Sequence, residues 1–186
     1  HAGYYPGAER ISLKLLFDPQ TGQILGAQGI GGTGTDKRID VLATAMTGGI
    51  TADELAALEL AYAPPYGSAK DPINQIGYVA ENIMQGTTRT IAWDEVDSTD
   101  RFLIDVRTHG EHRRGHIEDS INISVDDLRA RHTEIPRDAS GQPVPVAVYC
   151  QVGQRGHTAA RLLTQLGYDV VNLDGGWLTY SLARAS

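Results

Sequence analysis

The chain has 186 residues, 41% of them apolar and 21% charged, and a formal net charge of −7, which is room for one generous domain or two small ones. That acidic balance argues against nucleic acid or an anionic membrane as a partner, because both need clustered Lys and Arg, and no apolar run approaches the roughly 20 residues that cross a bilayer. The single cysteine, Cys150, excludes an internal disulfide and a multi-cysteine zinc site, and with no signal peptide in view it fits a reducing cytoplasm.

Residues 10–17 (RISLKLLF) and 23–30 (QILGAQGI) are short, apolar and partly alternating, so they are predicted as strands joined by the turn-forming DPQTGQ. Residues 36–48 are predicted as a helix with Ile39, Leu42, Ala43 and Met46 on one face, stopped by Gly48 and Gly49. Thr51 with Glu54 forms a capping-box pattern for a short helix. Residues 58–63 (LELAYA) alternate like a third strand ended by Pro64 and Pro65, and 72–84 form a helix with Pro72 in its first turn. This first half, 1–86, is therefore predicted as a small α+β layer with a two- or three-stranded antiparallel sheet.

GIGGTG at 29–34 matches G-x-G-x-x-G, but a dinucleotide site also needs a second parallel strand and an acidic residue at its end about twenty positions on. Asp53 has a suitable distance but falls in a predicted helix, so the glycines read as a strand-to-helix turn.

Gly86-Thr87-Thr88 reads as a linker, after which the pattern alternates β and α through 87–186. Residues 102–106, 146–149 and 169–173 are predicted as buried strands. Residues 125–132 and 156–166 are predicted as helices, and DGGW turns into a final short one. Continuous apolar strands separated by helices imply an α/β unit with a parallel sheet covered by helices.

Cys150 ends one of these strands and precedes a helix. Sites in open α/β sheets form at the carboxyl ends of strands, and an oncoming helix N-terminus favours a negative charge. That field lowers a cysteine pKa and makes its sulfur a nucleophile. Gln151, Val152, Gly153, Gln154 and Gly156 line the turn as substrate-binding candidates, and Arg155 adds a fixed positive charge for an anionic donor.

CQVGQR, with LIDVRTHGEHRRGHIEDSINIS before it and VVNLDGGW after it, resembles a single-domain rhodanese over residues 88–186. The resemblance implies a sulfurtransferase whose Cys150 takes a sulfane sulfur as a persulfide and passes it to a thiol or cyanide, with Arg155 holding the donor. Four residues separate Cys150 from Arg155, one fewer than in related phosphatases and arsenate reductases, and the smaller ring suits sulfur. Thiosulfate, polysulfide and low-molecular-weight persulfides are the candidate donors. Gln151 stands where many active members carry a basic residue, which turns the expectation from thiosulfate toward polysulfide, glutathione persulfide or a CoA persulfide.

Asp105 and Arg107, with Glu111 after them, support the loop or simply brace the domain; His116 and His157 are acid–base candidates or packed histidines, and Trp177 is a core candidate. No metal site is expected.

HAGYYPGAERISLKLLFD, DKRIDVLATA and LAYAPPYGSAKDPINQIGYVAENI resemble the C-terminal dimerisation domain of flavin-dependent disulfide reductases, most closely the CoA-disulfide reductase and NADH oxidase group. The start at His1 without Met reads as the C-terminal part of a longer protein. The resemblance implies a cytoplasmic homodimer in which Tyr4 (or Tyr5) and Tyr62 reach toward the partner's thiol site. It implies no cofactor on this chain, and FAD, NAD(P)H and CoA for the whole protein. Two other classes of function stand beside sulfur transfer: a non-catalytic dimerisation and docking module, and a thiol redox sensor at Cys150.

Overall fold

The computed structural model describes residues 3–185. The chain divides into two compact units that part between Thr87 and Thr88.

In the first unit, strands β1 (Ile11–Phe17) and β2 (Ile24–Gly31) pair antiparallel, with Ile11 opposite Gly31 and Phe17 opposite Ile24. Their turn is held by the Asp18 carboxylate, which accepts from the amides of Gln20 and Thr21 at 2.8 and 3.3 Å. Helix α1 (Thr35–Gly48) follows, then a 3-10 turn at Glu54–Ala57, in which only half of the expected box forms: Glu54 accepts from the Thr51 amide at 2.8 Å. Helix α2 (Pro72–Met84) starts on a reciprocal cap, with Asp71 accepting from the Ile73 amide at 3.0 Å and Asn74 accepting from the Asp71 amide at 3.2 Å. Ile24, Leu42, Ala45, Leu55 and Ile73 close the core, each large member contributing about 1.5–3 kcal/mol by leaving water.

Two expectations fail in this unit. Residues 58–63 form no strand, although their burial alternates. The carbonyl of Leu58 is captured by the Asn74 side chain at 2.8 Å, Pro64 and Pro65 carry no donors, and the sheet has two strands. Helix α1 is also rotated from the predicted face: Arg38, Leu42 and Ala45 are buried, whereas Ala43 and Met46 are exposed. The rotation follows Arg38, whose guanidinium binds Asp71 at 2.6 Å and the carbonyls of Gly34 and Tyr66 at 3.1 Å each.

The second unit is a five-stranded parallel sheet. Its strands are β3 (Thr90–Ile91), β4 (Phe102–Asp105), β5 (Ile121–Asn122), β6 (Val146–Tyr149) and β7 (Val170–Leu173), in the order β3-β7-β6-β4-β5. The helices are α3 (His109–Arg113), α4 (Leu128–Arg131), α5 (Gln154–Gln165) and α6 (Gly176–Arg184). Every residue of β6 and β7 is buried, which is why β6 reads as an unbroken apolar run and β7 as one interrupted only by Asn172. Ile104, Val146, Val148, Ala159 and Leu163 belong to one core cluster, while Tyr149 and Leu173 pack with Val96 and Ile117 in another. Helix α5 begins at Gln154, two residues before the predicted start, so Arg155 is helical rather than in the loop.

Candidate functional site at Cys150

Strand β6 carries Cys150 to the carboxyl edge of the sheet, and α5 leaves from that edge. Between them Gly153 adopts φ +105°, a left-handed conformation that a side chain disfavours, and caps the helix. Its amide donates to the Cys150 Sγ at 3.2 Å. The sulfur thus faces both a backbone donor and the positive end of a 12-residue helix. The residue is 1% exposed, whereas Val152 at the crown of the loop is 56% exposed.

Helix α6 holds the loop from the other side. The amides of Trp177 and Leu178 donate to the carbonyls of Cys150 and Gln151 at 2.8 and 3.0 Å. Trp177 itself is half-buried against the Tyr149 cluster rather than enclosed in the core.

Arg155 meets Glu111 of α3 in a two-bond pair at 2.8 and 2.7 Å. The hydrogen bonds from Arg155 hold the Glu111 carboxyl well below the usual carboxylate range, with Thr108 adding to the effect and burial opposing it. Arg155 is in turn raised above the usual arginine value, chiefly by Glu111, with the neighbouring Cys150 sulfur acting in the same direction.

Asp105 and Arg107 are buried beside the loop. Asp105 pairs in register with Tyr149, and its carboxylate accepts from the Arg107 side chain at 2.7 to 3.1 Å and from the Arg107 amide at 2.9 Å. Arg107 also reaches the Gln151 side-chain oxygen at 3.4 Å and the Gly115 carbonyl at 2.7 Å. One guanidinium thus contacts the strand end at Asp105 and the loop at Gln151. His112 turns Nδ1 to Asp105 at 3.0 Å and stacks on His116, with ring centroids 3.9 Å apart. His116 Nδ1 lies 3.0 Å from the His112 carbonyl, and His157 Nδ1 lies 2.7 Å from the Thr88 hydroxyl. Burial, then Arg161, lowers His157.

Gln151, Val152, Gly153, Gln154, Arg155 and Gly156 thus lie together between Cys150 and the first turn of α5. In the first unit Tyr4 and Tyr62 are both exposed, and the neighbouring Tyr4 raises the Tyr62 phenol. Sequence reasoning passed over Asn172 in VVNL and Gly176 in DGGW, and gave Glu111 no partner. Among the described residues no cluster of three or more His, Cys, Asp or Glu can hold a metal ion, and no helix is long and apolar enough to cross a membrane.

The rhodanese-like domain family matches residues 88–183, and the dimerisation domain of pyridine nucleotide-disulphide oxidoreductases matches residues 1–72. The coenzyme A disulfide reductase of Staphylococcus haemolyticus is 51% identical over 83 residues, which are 45% of this chain and 19% of that protein. The structure of reduced Bacillus anthracis CoADR-RHD superposes with a TM-score of 0.92 at 47% identity, covering 97% of this chain and 32% of that one. A NAD-dependent persulfide reductase from A. fulgidus gives 0.81 at 43% identity, covering 94% of this chain and 31% of that one. The chain thus spans about a third of the length of these two structures.

Proposed function

The chain belongs to the rhodanese-like domain family, and from that footing we propose that it is a sulfurtransferase that carries sulfane sulfur on Cys150. The observation that carries the proposal is the Gly153 amide on Sγ at 3.2 Å, at the head of α5 and beside Arg155. This is a seat for an anionic sulfur.

In the first half-reaction the Cys150 thiolate attacks the outer sulfur of the donor. A Cys–S bond to that sulfur forms, the donor's own S–S bond breaks, and the electron pair leaves with the donor as thiolate or sulfite. The Cys150 persulfide then occupies the loop. In the second half-reaction a thiolate or cyanide attacks its terminal sulfur, the S–S bond breaks, and the Cys150 thiolate returns. No net oxidation occurs and no proton transfer is needed once both nucleophiles are ionised, so His116 and His157 keep their structural partners. Arg155 orients the donor's negative end while Glu111 fixes the guanidinium. Polysulfide and low-molecular-weight persulfides suit the uncharged Gln151 better than thiosulfate does.

We place this activity within a longer FAD- and NAD(P)H-dependent reductase of CoA disulfides, CoA persulfides or polysulfides. It would be a cytoplasmic homodimer paired through residues 1–86, with Tyr4 and Tyr62 serving the partner's thiol site and CoA the thiol carrier. The flavin would supply electrons there. This chain's residues do not fit a dinucleotide in the βαβ manner: the first three residues of GIGGTG lie within β2, and β2 pairs antiparallel with β1. The parent's dinucleotide site therefore lies outside the GIGGTG stretch.

The test is cyanide-dependent thiocyanate formation with thiosulfate and polysulfide in parallel. Turnover with polysulfide, lost in Cys150→Ser, supports the proposal. Absence of turnover with either donor, in folded protein with a free thiol, sinks it and favours a docking module.

A further inference from the structure

Strand β7 reads VVNL, and its three apolar residues are buried as expected. Asn172 is buried with them, 6% exposed, in ladder register with Val148 of β6 and Thr90 of β3. Its Nδ2 donates to the Gly153 carbonyl at 3.1 Å. That carbonyl also accepts the first helical bond of α5, from the His157 amide at 2.8 Å. Its Oδ1 is buried without a hydrogen-bond partner. A Cβ on Gly156 would come within 2.1 Å of the same oxygen, so Asn172 explains why α5 carries glycine there.

An amide whose oxygen is buried without a partner is a poor space-filler in a strand of valine and leucine. Its one bond goes to the residue whose amide faces the sulfur. We infer that Asn172 is a positioning residue for the Cys150 loop, holding Gly153 so that its N–H points at Sγ; this rests on the sulfur-transfer reading of the loop. Gly153 is the most freely rotating kind of residue, and it is tied at both ends: its N–H to Sγ and its C=O to Asn172. Loss of the second tie leaves only the helical bond to define the first.

Cys150 is the single cysteine, so alkylation of the whole chain by iodoacetamide reports on it alone, with no sulfur donor involved. Asn172→Leu keeps the volume and removes the donor; Asn172→Ser shortens the side chain and serves where the leucine variant fails to fold. Either variant, shown folded by its thermal transition, is expected to alkylate roughly fivefold more slowly at neutral pH, the worth of one hydrogen bond. Its pH profile of alkylation moves to higher pH. A folded variant with the parent's rate and profile overturns the inference, because a role in stability alone leaves the thiol's reactivity unmoved. A parent that alkylates normally but makes no thiocyanate counts against sulfur transfer and not against Asn172.

Discussion

Arg155 in the first turn of α5 and Glu111 in α3 stand 44 positions apart and close on each other through two hydrogen bonds, 2.8 and 2.7 Å long. The pair ties the Cys150 loop to the segment that follows β4. It also leaves Arg155 oriented rather than free to swing over the sulfur.

Replacing this carboxylate has a pH signature. The folded Glu111 carboxyl lies well below its ordinary value of 4.5, chiefly because of Arg155. Its contribution is therefore full above about pH 4.5 and is lost as the pH falls from there through the folded value. Glu111→Gln is expected to be less stable than the parent at neutral pH by roughly 1 kcal/mol, since the pair is partly exposed. Denaturant titrations from about pH 7 to about pH 3 should show the gap narrowing at the acid end. A constant gap would refute the assignment.

Gly176 sits where α6 touches the loop. A Cβ there would lie 2.4 Å from the Cys150 carbonyl oxygen, and its φ is +59°. Gly176→Ala should cost about 1–3 kcal/mol from backbone strain alone and more from the clash, and should change the rate at which Cys150 is alkylated. Gly141→Ala is the control: its φ is +82° but nothing lies within 4 Å, so it should carry only the backbone cost. Equal losses for the two would remove the argument from contact.

Tyr149 supplies an alkaline counterpart. Its hydroxyl accepts from the Ile117 amide at 3.0 Å and meets the Ser120 hydroxyl at 2.7 Å, while burial pushes the phenol up to about 12. Between the ordinary value of 10.0 and about 12 the unfolded chain ionises and the folded one does not, so this group makes stability fall as pH rises. Tyr149→Phe should lose that slope. It should also cost about 1–3 kcal/mol at neutral pH by orphaning the Ile117 amide. Unfolding curves at about pH 9 and about pH 11 would decide, and an unchanged slope would exclude Tyr149 as its source.

Arg38 and Asp71 form the buried ion pair of the first unit, with side chains 3% and 6% exposed. Arg38→Ala strands the Asp71 charge that caps α2 and frees the Gly34 and Tyr66 carbonyls. The expected loss is about 3–5 kcal/mol. It should appear in far-ultraviolet dichroism on heating, with Cys150 alkylation at low temperature unaltered; a loss below about 1 kcal/mol would place the pair among solvated surface bridges.

What the chain's own letters determined is local. Alternation marked β1 and β2, a proline in the first turn marked α2 at Pro72, and short, mostly apolar runs marked β4, β6 and β7. The order strand, cysteine, glycine, arginine, helix was legible because a strand end, a left-handed turn and a helix N-terminus are each set by neighbours in sequence. What the tertiary structure decided is partnership. LELAYA has the burial pattern of a strand, yet the Asn74 side chain, 16 positions on, takes its backbone carbonyl. The face of α1 turned inward because Asp71, 33 positions away, accepts a buried arginine that no hydrophobic count would place there. Strands β3 and β5 are two residues each and exist only as rungs beside β7 and β4. Glu111 and Asn172 carry no local signal of their roles, because a hydrogen bond depends on which groups the fold brings within about 3 Å, and propensity acts over only a turn or two of chain.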